Sequence, residues 1–183
     1  MNKRVMTVTG IVLLAALSRL IPHPPNVTPV AAIALFGGAF LVNRKLAYLL
    51  PLAAMLLSDV VLGLTLYGKA VLFSQPVVYA CLLITVAMGR LIRDRRSALN
   101  VGVVTLASSV LFFVVTNFSV WSSGHLYPRT LAGLESCYVA AIPFFRNSLA
   151  GDVIFSAVLF GGFALLETFA VSLREKPEPS LAA

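Results

Sequence analysis

The sequence predicts an all-α membrane protein: a bundle of six transmembrane helices with both termini in the cytoplasm. Three observations carry this expectation. Hydrophobic residues make up 59% of the 183-residue chain and charged residues only 11%, against about 25% charged in soluble domains. The apolar residues come in long runs that do not alternate, which disfavours a β-barrel. At roughly 20 apolar residues per crossing, the length accommodates about six spans with short loops. Too few charges remain to cover a water-soluble enzyme or to keep a chain disordered.

The first helix is expected over residues 5–21. Its basic start, Lys3-Arg4, and the apolar run after it also resemble a signal peptide. However, Arg19, Pro22 and Pro24 directly follow the small residues a cleavage site would need. Pro22, Pro24, Pro25 and Pro29 make the next segment a stiff extended loop. Helix 2, over 30–42, is short, and Gly37-Gly38 lets another backbone come close. Asn43-Arg44-Lys45 is a basic turn. Helix 3 covers 46–66, with Pro51 in its first turns and Asp59 inside it. Tyr67-Gly68-Lys69 opens a loop that closes at Gln75-Pro76, and Pro76 suits the first turn of helix 4, over 76–92. Helix 5 covers 99–120. A long polar-aromatic connection is expected from Trp121 to Arg146, containing Gly124, His125, Tyr127, Pro128 and Pro143, with room for a short helix over 130–141. Helix 6 covers 148–173. Residues 1–173 form one transmembrane domain, and the tail 174–183, with two prolines and mixed charge, is expected to be a disordered cytoplasmic segment.

An even number of spans puts both termini on one side. That side collects Lys3, Arg4, Arg44, Lys45, Arg90, Arg93, Arg95, Arg96, Arg174 and Lys176, against Arg19, Lys69, Arg129 and Arg146 on the other. The asymmetry places the termini in the cytoplasm. It also accounts for the net charge of +7 as a topology signal. Membrane lipid, and no nucleic acid, is the implied surrounding.

Several residues could carry chemistry. Asp59, a carboxylate inside a membrane helix, is either functional or a buried partner for Arg19. Asp152, expected near the outer start of helix 6, suits capping and pairing with Arg146. Glu167 is expected to face water or a partner protein. His23 is held in the rigid proline segment as a binding residue or a solvated one. His125 sits in a looser loop. Cys81 and Cys137 are each either inert small residues or soft thiolate ligands. No Cys-x-x-Cys or His-Glu-x-x-His spacing supports a zinc site, and no P-loop motif supplies an ATP site in this chain. Tyr67, Tyr79, Trp121, Tyr127 and other outer-side aromatics read as an interfacial belt, or as loops closing over a large planar ligand.

The stretches Arg19-Leu20-Ile21-Pro22-His23-Pro24-Pro25-Asn26, Phe73-Ser74-Gln75-Pro76 and Ala140-Ala141-Ile142-Pro143-Phe144-Phe145-Arg146-Asn147 resemble small bacterial membrane proteins related to the substrate-binding S-components of energy-coupling-factor (ECF) vitamin transporters. Among these, the chain is similar to the BtuM-type vitamin B12 transporters, over roughly residues 5–172. The resemblance implies a six-helix S-component bundle in the bacterial cytoplasmic membrane that takes up cobalamin from the outside. It implies a cysteine as axial cobalt ligand, matched to Cys81 with Cys137 as the alternative, and decyanation of cyanocobalamin through that cysteine. His23, Asp59, Tyr67, Tyr79, Trp121 and Tyr127 become the candidate pocket and loop-closing residues. Gly10, Ala15 and Ala16 in helix 1 do not form a clear small-x-x-x-small pair. That departure from S-components that dock on a shared ECF module suits a solitary transporter. The same fold with another vitamin or a nucleobase-like ligand, in which Asp59 matters and the cysteines do not, is the alternative, as is a membrane enzyme.

Overall fold

In the computed structural model, which describes residues 2–67 and 76–174, the described residues contain helices and no strands. α1 (Lys3–Ser18), α3 (Arg44–Leu62) and α5 (Ala98–Ser123) run one way, and α2 (Val30–Phe40), α4 (Pro76–Leu91) and α6 (Leu131–Ser156) run back. α6 continues through a π-helical turn, Ala157–Gly161, into α7 (Gly162–Phe169). Contacts between elements fix this alternation. Arg4, at the start of α1, donates to Glu167 of α7 at 2.8 Å and to the Leu173 carbonyl at 2.7 Å. Arg19, just past the end of α1, meets Asp59 late in α3 at 2.9 Å. The first and last helices therefore share one end of the bundle, the terminal end. The α1–α2 and α5–α6 connections lie at the other, the distal end.

Helix starts follow local chemistry. The side chains of Asn43, Ser97 and Thr130 accept hydrogen bonds from the backbone N–H groups of Leu46, Asn100 and Gly133, satisfying donors that a helix N-terminus leaves open. Three helices are long and apolar enough to cross a membrane: Arg44–Thr65, Ala98–Ser123 and Leu131–Phe169. Their outward faces expose Leu49, Leu57, Val103, Leu106, Val153 and Val158, an apolar surface suited to lipid.

α2 is the core. Ten of its eleven residues are buried, as befits a helix without a polar side chain on any face. It packs most extensively on α4. The approach is so close that a Cβ on Gly38 would collide with the Val86 carbonyl, and one on Gly89 with the Leu35 carbonyl. The close backbone approach anticipated at Gly37-Gly38 is thus realised against α4. At the terminal end, Phe36, Phe40, Phe160 and Phe163 stack with centroids 4.6–5.6 Å apart. The guanidinium groups of Arg4 and Arg96 lie over the Phe40 ring at 5.6 and 4.5 Å.

Two expectations need correction. The long connection from Trp121 to Arg146 is not a loop. Only residues 124–130 join α5 to α6, and Leu131–Phe169 is one helix of 39 residues with Pro143 inside it. Proline removes one backbone bond, which membrane helices tolerate where neighbours re-satisfy the freed group. The polar residues that suggested a loop are accommodated within the hairpin. Ser136 bonds back to the Ala132 carbonyl at 2.7 Å, and the Tyr138 hydroxyl donates to Val114 of α5 at 2.6 Å. Glu167, in turn, does not face water alone but pairs with Arg4. The loop expected between Tyr67 and Pro76 lies outside the described residues, as does the tail from 175 onward for which disorder was expected.

Gly38→Leu and Gly89→Leu should each lower the thermal unfolding midpoint in detergent, by an overpacking cost of about 1–3 kcal/mol or more. Gly102→Leu, where nothing lies within 4 Å of a Cβ, should leave the midpoint nearly unchanged.

Candidate functional site

α2 is too short to fill the bundle. At about 1.5 Å per residue its eleven residues rise only about 16 Å. Its first turn therefore starts inside the bundle, and the space beyond it toward the distal end is a cavity of about 470 Å³. Val30 and Ala31 of α2, Met55 of α3 and Val78 of α4 line it, together with residues from α5 and α6. Arg19, Asn26 and Thr28 contribute from the proline segment. Buried Ala31, Met55, Ser109 and Asp152 form its depth, while Asn26 and Phe144 at its rim are exposed.

The polar groups fall into two sets. In the first, Arg19 binds Asp59 at 2.9 Å and also donates to the Ser58 hydroxyl. The Tyr79 hydroxyl donates to the other Asp59 oxygen at 2.8 Å. Side-chain exposures of 11% for Arg19 and 3% for Asp59 make this a buried pair. It ties the end of α1 to α3 and α4, and Arg19 forms part of the cavity wall. In the second set, the Ser109 hydroxyl of α5 donates to Asp152 of α6 at 2.6 Å. One turn deeper, Thr105 donates to Ser156 at 3.1 Å. Around them stand Phe112, Phe113, Phe144 and Phe145, with the Phe113 and Phe145 rings 4.6 Å apart.

Of the residues singled out from sequence, Asp59 and Tyr79 belong to the network behind the cavity wall, and Asp59 is the partner of Arg19, one of the two roles it was given. Asp152 lies within α6, not at a helix start, and its described partner is Ser109, not Arg146; that expectation is corrected. His23 is exposed, with Nδ1 3.0 Å from the Pro24 carbonyl. Trp121 secures the hairpin tip by donating to the Pro128 and Thr130 carbonyls at 3.2 Å. Tyr127 and exposed His125 lie in the same tip. The Tyr67 side chain lies outside the described residues. Cys81 is fully buried in α4, and buried Cys137 donates to the Asn117 carbonyl at 3.5 Å. Neither cysteine is among the cavity-lining residues, and both are free thiols. No group of three or more His, Cys, Asp or Glu side chains suited to a metal occurs among the described residues. Phe144 and Phe145 belong to the outer-side aromatics singled out from sequence, whereas Phe112, Phe113 and Ser109 were missed. A signal existed: Thr105, Ser109, Phe112 and Thr116 recur at helical spacing and mark one polar-aromatic face of α5.

Residues 1–175 match the family of unknown function DUF6580. The chain belongs to this family. No curated protein and no solved structure matches it. This DUF6580 member thus combines an internal ion pair with a cavity walled by aromatic rings and one further carboxylate.

Removing one partner of a buried ion pair leaves an uncompensated charge, at a cost of about 3–5 kcal/mol. Arg19→Ala should therefore destabilise the protein strongly in thermal unfolding. The double variant Arg19→Met with Asp59→Leu should recover most of the loss.

Proposed function

We propose that this protein is a six-span transporter of the bacterial cytoplasmic membrane that captures a small solute in the distal cavity, from the outside, and delivers it inward. The supporting observation is the cavity itself, at the end of the bundle away from most of the basic residues. Under the positive-inside rule that end faces outward. A volume of about 470 Å³ lies within the range of roughly 300–1,000 Å³ typical of small-molecule sites. Its wall is mixed, with nine apolar and eight polar lining residues, more polar than is usual for such sites. The short helices α1, α2 and α4 fit a spanning bundle because α2 is wrapped by its neighbours and needs no lipid-facing length.

The size favours a ligand of nucleobase or small-vitamin dimensions. Cobalamin, the ligand of the BtuM-type resemblance, is far larger. Its cobalt would have to reach Cys81, which has no exposed surface. That reading needs the bundle to open around α4.

The test is mass spectrometry of small molecules retained by the detergent-purified protein, compared with Thr116→Trp, which should fill the cavity. A small solute present in the wild type and absent from the variant is expected. A retained corrinoid with an altered visible spectrum, lost in Cys81→Ala, would replace this reading with the cobalamin one. Identical profiles in wild type and Thr116→Trp would remove the cavity from the account.

A further inference from the structure

We propose that the distal cavity selects a small aromatic cation, stacked on the phenylalanine walls with its charge against Asp152; this rests on the capture reading above. Asp152 is 7% exposed, lines the cavity, and has a neutral hydroxyl, Ser109 Oγ, as its described partner. A buried carboxylate without a cation is strongly disfavoured. Among the described residues, the other charges nearby do not supply one. Arg19 also lines the cavity, but Asp59 is bonded to it at 2.9 Å and the two cancel. Arg146, on the same helix as Asp152, is exposed and does not line the cavity. The positive end of α2, whose Val30 and Ala31 form part of the wall, offsets only about half a unit charge. Ionised, Asp152 makes the cavity net negative, and a bound cation would both neutralise that charge and favour the ionised form.

The walls supply the second half of the match. Phe112, Phe113, Phe144 and Phe145 line the space between Asp152 and the rim. Aromatic faces attract cations and stack on rings, and the attraction grows when water is excluded. A flat ring bearing an amidinium, a pyridinium or a similar group meets both demands. An aliphatic cation would gain the attraction to the ring faces but no ring stacking, and an anion would meet the carboxylate.

Three probes that share one ring and differ in charge test this: benzamidinium, benzamide and benzoate, titrated into the detergent-purified full chain by calorimetry. Benzamidinium should bind about tenfold or more tighter than the other two, the gain of a desolvated charge pair. In Asp152→Asn, benzamidinium and benzamide should bind about equally. The comparison on the unaltered protein holds whether or not that variant folds. Equal binding of benzamidinium and benzamide, tightest binding of benzoate, or no binding of any probe would each overturn the inference. The capture reading would then still stand or fall on the co-purified solute.

Discussion

The fold depends on a helix with no outward face. Ten of the eleven residues of α2 are buried, and such a helix is stable only when enclosed by others. Gly38 and Gly89 permit that enclosure by letting the α2 and α4 backbones approach without Cβ atoms between them. Two features follow. The phenylalanines near the end of α2 close the terminal end of the bundle against Phe160 and Phe163. The start of α2, set inside the bundle by its short length, leaves the distal end hollow. Packing at one end and a cavity at the other are thus two consequences of one short apolar helix.

Charge is organised around the same asymmetry. The terminal end carries the basic residues, and two of them, Arg4 and Arg96, are drawn inward over Phe40. There the long arginine stems cover apolar surface while their heads find carbonyl or carboxylate partners. At the distal end Arg129, Glu135 and Arg146 are exposed, while Arg19, Asp59 and Asp152 are held inside. Arg19, Asp59, Ser58 and Tyr79 form a network that ties the end of α1 to α3 and α4. A rigid wall of this kind lowers the entropy lost when a ligand is ordered in the cavity. Asp152 stands apart from that network, which is what gives the cavity an electrostatic preference.

Much of this was legible in the sequence, for identifiable reasons. Long apolar runs separated by the Asn43-Arg44-Lys45 turn, the Arg90–Arg96 basic cluster and Pro76 located most helices, because basic turns and first-turn prolines act locally. Pairing with Arg19 was one of the two roles open to Asp59, because few charges exist in such a chain to neutralise each other. The α5–α6 hairpin was misread because Pro143, Arg146 and Asn147 are loop-forming in water, whereas in an apolar setting a helix keeps its backbone bonds and tolerates them. Asp152 was assigned to a cap for the same reason, since the helix was taken to start beside it. The cavity itself depends on how far α2 rises relative to its neighbours, a property of packing that no local pattern encodes. Cys81 drew attention through the BtuM resemblance, but its burial depends on the α2–α4 contact and could not be read from its position in the chain.

Sidedness is the claim on which capture from outside rests. It is tested by single-cysteine labelling in intact cells, in a chain carrying Cys81→Ala and Cys137→Ala. A membrane-impermeant maleimide should label Ser148→Cys, in the cavity wall, from outside. Asp94→Cys, exposed between α4 and α5 at the terminal end, should react only after the membrane is permeabilised. Labelling of Asp94→Cys in intact cells, with Ser148→Cys protected until permeabilisation, would place the cavity on the cytoplasmic side and contradict the account.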